Sequence, residues 1–299
     1  MGSCRSAIFV RVALAVLVGS SSGCVGRLPI WRRDRDEAAV GRAARSSAEA
    51  LARGDEAWAR RDSRDAVLAA LSAWEEALAG RPGDVELLVK LARGSYYLAD
   101  VHLREEPAAY LAVMDEAASW GERALISVSP EFRRRVDRRD VFVDAVAAVG
   151  PNGVPALYWY AAALGRWAQA KGVGALLAHH DEIRAAMNRC LELDPRYFHA
   201  GPHRYFGAYY AIVPAVAGGD LEKSRFHFAR SLELAPGYLG TRLLWAAELA
   251  VREHDRATFE RLLGEVIAAS PDVLPDVAFE ARADQAKARA LLSRVDQLF

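Results

Sequence analysis

Three times along this 299-residue chain the same four-residue register recurs: a small or medium residue, a larger one four positions on, a small one three further, then a proline five beyond that. The sets are Ala70, Trp74, Ala77 and Pro82; Ile183, Met187, Cys190 and Pro195; and Ser224, Phe228, Ser231 and Pro236. The first three members of each set lie on one face of an α-helix, and the proline stops that helix. Weaker echoes end at Pro130 and Pro271. A single unit of this kind cannot cover its own apolar face, so successive units must lean on one another.

The spacing resembles that of tetratricopeptide units. The fold expected is all-α, with tetratricopeptide-like helical hairpins stacked into a solenoid-type array. Strand-like alternation never persists. Val67, Leu71, Trp74 and Leu78 form one helix face, and Phe259, Leu262, Leu263, Val266 and Ile267 form the clearest amphipathic stripe. Turns at Gly80–Asp84, Gly150–Gly153, Gly218–Asp220 and Pro236–Gly237 punctuate the pattern, with Asp84 and Asp220 placed as helix N-caps. Successive prolines stand 48, 65, 41 and 35 residues apart, so the hairpins are degenerate and carry insertions, mostly between about 130 and 180.

The N-terminus reads as an export signal. Arg5 and Arg11 flank the start of an apolar run, Val12 to Val18, and small residues precede Cys24. The run is too short for a permanent membrane span. Ser22-Gly23-Cys24 resembles a bacterial lipoprotein box, in which the cysteine becomes the acylated first residue; the alternative is an ordinary signal cut nearby. Ser21 stands where leucine is usual. The expected division is a signal peptide over 1–23, a tether over 24–35 and one helical domain over 36–299. The net charge is +0, and loss of Arg5 and Arg11 with the signal would leave −2, so nothing draws this chain to nucleic acid. Cys4 lies in the signal and Cys24 would be lipidated, which leaves Cys190 without a disulfide partner.

Residues that could carry chemistry do not assemble into a reactive set. His179 and His180 are consecutive and diverge on a helix. His199 and His203 are separated by Gly201 and Pro202, which break the helix they would need to share. Neither pair suggests a metal, no nucleophile elbow or phosphate loop appears, and Cys190 reads as a core residue. No cofactor and no catalysis are expected. The aromatic residues between 158 and 210 say more. Trp159, Ala163 and Trp167 form one stripe, Tyr158, Ala162 and Arg166 the next, and Tyr205 and Tyr209 another with Arg204 at its edge. They are either inter-helix packing or, in part, the lining of an apolar groove with hydroxyls at its rim. The groove candidates are Tyr158, Trp159, Trp167, Arg204, Tyr205 and Tyr209. Arg204 offers a paired-donor fork for a ligand carboxylate, or else bonds helix-end carbonyls.

Three blocks carry a family resemblance: Tyr158–Ala162 with Gly165-Arg166-Trp167; Gly201-Pro202-His203-Arg204-Tyr205-Phe206-Gly207 with Pro214 and Gly218-Gly219-Asp220; and Ala286–Leu292 with the terminal Leu298-Phe299. With the lipoprotein signal, they resemble the T component of TRAP-type transport systems over roughly residues 45–299. The resemblance implies structural roles for Gly201, Pro202, Gly207, Pro214, Gly218, Gly219 and Asp220. It also implies a non-enzymatic periplasmic lipoprotein, trimeric and anchored through Cys24; Val25 after that cysteine, where an aspartate would favour the inner membrane, points to the outer one. Its implied partner is the substrate-binding P protein of a TRAP system, and its implied guest a small hydrophobic molecule or organic acid. The alternative is an envelope scaffold of tetratricopeptide type that joins proteins and binds no solute.

Overall fold

The computed structural model describes residue 27, residues 29–32 and residues 44–299; Cys24 and the signal segment lie outside the described residues. Helices pack in consecutive antiparallel pairs. The first pair is α1 (Ala44–Trp58) with α2 (Arg64–Ala79), the second α3 (Val85–Tyr97) with α4 (Pro107–Val128). Two short helices follow, α5 (Pro130–Asp137) and α6 (Phe142–Val146). The third pair is α7 (Val154–Lys171) with α8 (Val173–Leu193), and the fourth α9 (Tyr197–Ile212) with α10 (Leu221–Leu234). Then α11 (Leu239–Leu244) runs on through a π-helical stretch, Trp245–Ala250, to pack on α12 (Arg256–Ala268), and α13 (Ala278–Leu292) and α14 (Val295–Leu298) close the chain. No strand occurs among the described residues, and the architecture is an all-α array of helical hairpins. Among those residues no helix is long and apolar enough to cross a membrane.

The recurring register is a burial rule. All nine of its helical members are buried, among them Trp74, Met187 and Phe228 as the bulky fillers. Ser224 and Ser231 keep their hydroxyls satisfied by donating to the carbonyls of Gly207 (2.6 Å) and Ala200 (3.3 Å) on α9. Helix starts are fixed by side-chain caps. Asp84 accepts from the Leu87 amide at 3.1 Å, and Asp220 from the amides of Glu222 and Lys223 at 3.0 Å each. One large core runs from Ala50 to Val213 and a smaller one from Leu239 to Ala288, with Ala211, Phe228 and Leu249 between them.

The N-terminal segment docks on a wall shared by α4 and the helices between 130 and 180. Arg27 is buried, and its guanidinium pairs with Asp115 and Glu122 on α4 and donates to Ser119 Oγ at 2.8 Å. Its amide donates to His179 Nε2 at 2.9 Å, and the Ile30 amide to Glu122 at 2.8 Å. Trp31 then lies among Phe132, Phe142 and Tyr160, with ring centroids 5.7–6.1 Å away. Burial raises the Glu122 carboxyl above its usual range, while Arg27 and the Ile30 amide pull it back.

Candidate functional site

The site begins with a backbone anomaly. Phe198, His199 and Ala200 all carry φ between 44° and 56°, a left-handed turn that L-residues avoid. The helix between His199 and His203 is therefore broken, but upstream of the place the sequence suggested. Gly201 and Pro202 instead open the right-handed part of α9, where a missing amide hydrogen costs little. Arg204 holds the turn closed. Its Nη1 donates to the His199 carbonyl at 2.9 Å, and its Nη2 to the Phe198 carbonyl at 3.2 Å and to the Tyr158 hydroxyl at 3.0 Å. The Tyr238 ring lies 4.1 Å from its guanidinium carbon. Gly201 completes the arrangement, because a Cβ there would sit 2.5 Å from the Tyr158 ring.

Two cavities meet beside this turn. The smaller, about 120 Å³, lies between α7, α8 and α9 and is mostly apolar, with Leu176, Ile183, Met187, Ala208, Ile212 and Leu244 in its walls. Tyr205 and Tyr209 line it as a stacked pair with centroids 6.0 Å apart. The larger, about 410 Å³, lies between α3, α7, α11 and α13 and is charged. Tyr96, Tyr158, Arg166, Arg204 and Leu244 belong to the walls of both, so the two share a partition.

Across the larger cavity the C-terminal helices are tied to the N-terminal hairpins by ions. Glu280 accepts from Arg61 at 2.9 Å and Arg93 at 3.0 Å, and Lys287 reaches Asp100 at 2.6 Å. Although burial works the other way, Lys287, Arg104 and Arg166 hold the Asp100 carboxyl well below the usual carboxylate range. Asp284 goes the opposite way: burial, helped by Asp100 and opposed by Lys287, pushes it up to about 6. Burial likewise raises the hydroxyls of Tyr158, Tyr205 and Tyr209, so they remain protonated donors.

Of the six groove candidates, the structure brings five together. Tyr158 and Arg204 line both cavities, Trp159 the larger, and Tyr205 and Tyr209 the smaller. Trp167 lies apart, edge-on to His179 at 5.6 Å. The stripe shared by Trp159 and Trp167 is thus divided between two neighbourhoods. Trp159 donates to the Tyr197 hydroxyl at 3.2 Å and packs on Phe198. The glycines of the family block sit at close approaches. Gly207 faces the Phe228 ring, with a Cβ position 2.6 Å away, and Gly219 faces the Val213 carbonyl, where a Cβ would lie at 1.7 Å. Gly218 has φ +96°, Pro214 caps the short 3₁₀ turn before it, and Asp220 opens α10.

Sequence reasoning did not reach Tyr96, Asp100, Asp284 or Lys287, which come from the second and last hairpins. Ile183 and Met187 had been visible only as members of the packing register. The histidines have local partners: His179 with Glu182 at 3.1 Å, His180 with the Tyr209 hydroxyl, His199 with Asp276 at 2.9 Å, and His203 with His227 at 3.0 Å. Among the described residues no three His, Cys, Asp or Glu side chains gather as a metal site.

An all-helical scaffold with adjoining apolar and charged cavities is the class that fold and site define. The family model for the TRAP transporter T-component matches residues 64–299, and the chain belongs to that family. The family is one of transport accessories, not known as enzymes. No curated protein matches the chain.

Proposed function

We propose that this protein is a lipid-anchored periplasmic accessory of a TRAP-type uptake system. It docks the system's substrate-binding P protein and holds a small, mainly hydrophobic guest in the paired cavities. The observation that supports this most directly is the shared partition. Tyr96, Tyr158, Arg166, Arg204 and Leu244 bound a mostly apolar compartment on one side and a charged one on the other, an arrangement suited to a guest with two chemically different ends. Tyr158, Trp159, Arg204, Tyr205 and Tyr209 are its lining in this reading; Trp167 supports α8. The anchor is Cys24, at the outer membrane, and the assembly is a trimer.

The deciding experiment is co-purification with the P protein of the same system. Retention of a P protein by the wild type, weakened or slowed when Tyr209→Ala or Trp159→Ala enlarges the cavities without unfolding the chain, is the expected result. Failure to retain any P protein removes the docking reading. Fractionation of Cys24→Ser with the membrane at unchanged mass would remove the anchor, and sedimentation as a monomer at micromolar concentration would remove the trimer.

A further inference from the structure

Arg166 differs from the other cations inside the cavities; Arg294, which also lacks an ion pair among the described residues, is exposed at the rim of the larger one. Arg93, Arg104 and Lys287 each have a carboxylate within ion-pair reach, and the Arg204 guanidinium is taken up by two backbone carbonyls and a hydroxyl. Arg166 has no carboxylate within such reach among the described residues. Its two hydrogen bonds are long and go to neutral groups: Nε to the Tyr96 hydroxyl at 3.4 Å and Nη1 to Gln169 Oε1 at 3.2 Å. The Nη2 group has no acceptor among the described residues. Arg166 nonetheless stands in the partition between the cavities, and a third hollow of about 480 Å³, bounded by Pro107, Tyr110 and Gln169, reaches it from another side.

The hydroxyls beside it complete a pattern. A phenol both accepts and donates. Tyr96 accepts from Arg166, and Tyr158 accepts from Arg204. Neither hydroxyl has an acceptor for its own hydrogen among the described residues. The partition thus presents Arg166 Nη2 and two O–H donors, without a matching acceptor. Asp100 acts on Arg166 only from beyond ion-pair distance; donors without acceptors in reach around that charge suit an anion, and the planar guanidinium fork fits a carboxylate best.

We propose that Arg166 is the residue that recognises the guest, and that the guest is a monocarboxylate whose hydrocarbon tail occupies the smaller cavity. This rests on the reading of the cavities as a ligand site. The walls decide against a second carboxylate. In the smaller cavity it would be desolvated among Ile183, Met187 and Ile212; in the larger it would meet Glu280, Asp284 and Glu248. Arg204 in this assignment is a positioning residue that fixes Tyr158.

The test is calorimetric titration of the purified chain with octanoate, octan-1-ol and octanedioate. Octanoate binds the wild type at least roughly tenfold tighter than either of the others, the worth of one good charged hydrogen-bond set. Arg166→Gln lowers octanoate to the level of octan-1-ol and leaves octan-1-ol unchanged; Arg166→Lys, which keeps the charge but not the fork, retains part of the preference. Equal binding of octanoate and octan-1-ol to the wild type, or a preference that survives Arg166→Gln, overturns the role of Arg166. Octanedioate binding as tightly as octanoate overturns the single-carboxylate assignment. Binding of none of the three overturns the ligand site itself.

Discussion

Arg204 offsets a conformational cost of its own neighbourhood. Three consecutive left-handed residues cost roughly 1–2 kcal/mol each in isolation. The turn persists because Phe198 packs on Trp159 at 4.8 Å and because one guanidinium ties down two of its carbonyls. Arg204→Gln leaves those carbonyls and the Tyr158 hydroxyl without their donor. The expected loss is about 2–4 kcal/mol in urea unfolding, and Arg204→Lys, lacking the fork, recovers less than half of it. The His203–His227 pair makes a second prediction. Burial first, then His203, depresses His227 from 6.5 to about 4. The unfolded ring takes up its proton near 6.5 and the folded one only near 4, so this contribution is complete above pH 6.5 and is lost as pH falls towards 4. The ring is partly solvated, so the amount is about 1–2 kcal/mol. Subtracting the unfolding free energies of His227→Gln from those of the wild type across pH 4–7 isolates it from Asp284, whose raised carboxyl slopes the other way. A flat difference refutes it.

At the scale of elements, the contact between α4 and α7 is set by Gly121. A Cβ there would lie 2.7 Å from the Cα of Tyr160, against backbone that cannot swing aside. Gly121→Ala should destabilise by about 1–3 kcal/mol, read as a lowered denaturation midpoint at unchanged slope. Arg27→Ala strands the fully buried Glu122 and should cost about 3–5 kcal/mol; Arg27→Ala with Glu122→Gln recovers a good part of that, whereas additive losses would show that the pair is not coupled. The helices themselves were legible because Ala70, Trp74, Phe228 and Phe259 repeat at helical spacing and are buried. The docked segment was not, since Arg27 and Trp31 sit in a short charged stretch whose partners lie some 90 residues or more away in sequence. Nor was the left-handed turn: Phe and Ala seldom adopt that conformation and His only somewhat more often, and only Gly201 and Pro202 hinted at a break nearby. Five of the six candidates line the cavities because aromatic density marks inter-helix space; Trp167 lies apart because a stripe on a helix does not say which neighbour each end meets.

For the molecule as a whole, the larger cavity exists only because the last hairpin lies across the second. Its closure depends on few bonds: Glu280 with Arg61 and Arg93, and Lys287 with Asp100. Lys287→Met leaves Asp100 with Arg104 as its remaining ion pair. We expect about 1–3 kcal/mol of lost stability and amide hydrogens of residues 278–292 exchanging faster than those of α2 and α7, whose buried faces are untouched. Uniform acceleration throughout would show that the two cores unfold as one. The smaller cavity, walled mainly by α7, α8 and α9, should keep its shape in the same variant.

That arrangement also orders events in time. A polypeptide leaves the ribosome from its first residue, and helices near the start can pair as soon as they emerge. Yet the floor of the charged compartment is supplied by α13, within the final 22 residues. An unfinished molecule therefore has the apolar compartment but not the charged one, and premature termination anywhere before residue 278 yields a body with an open flank.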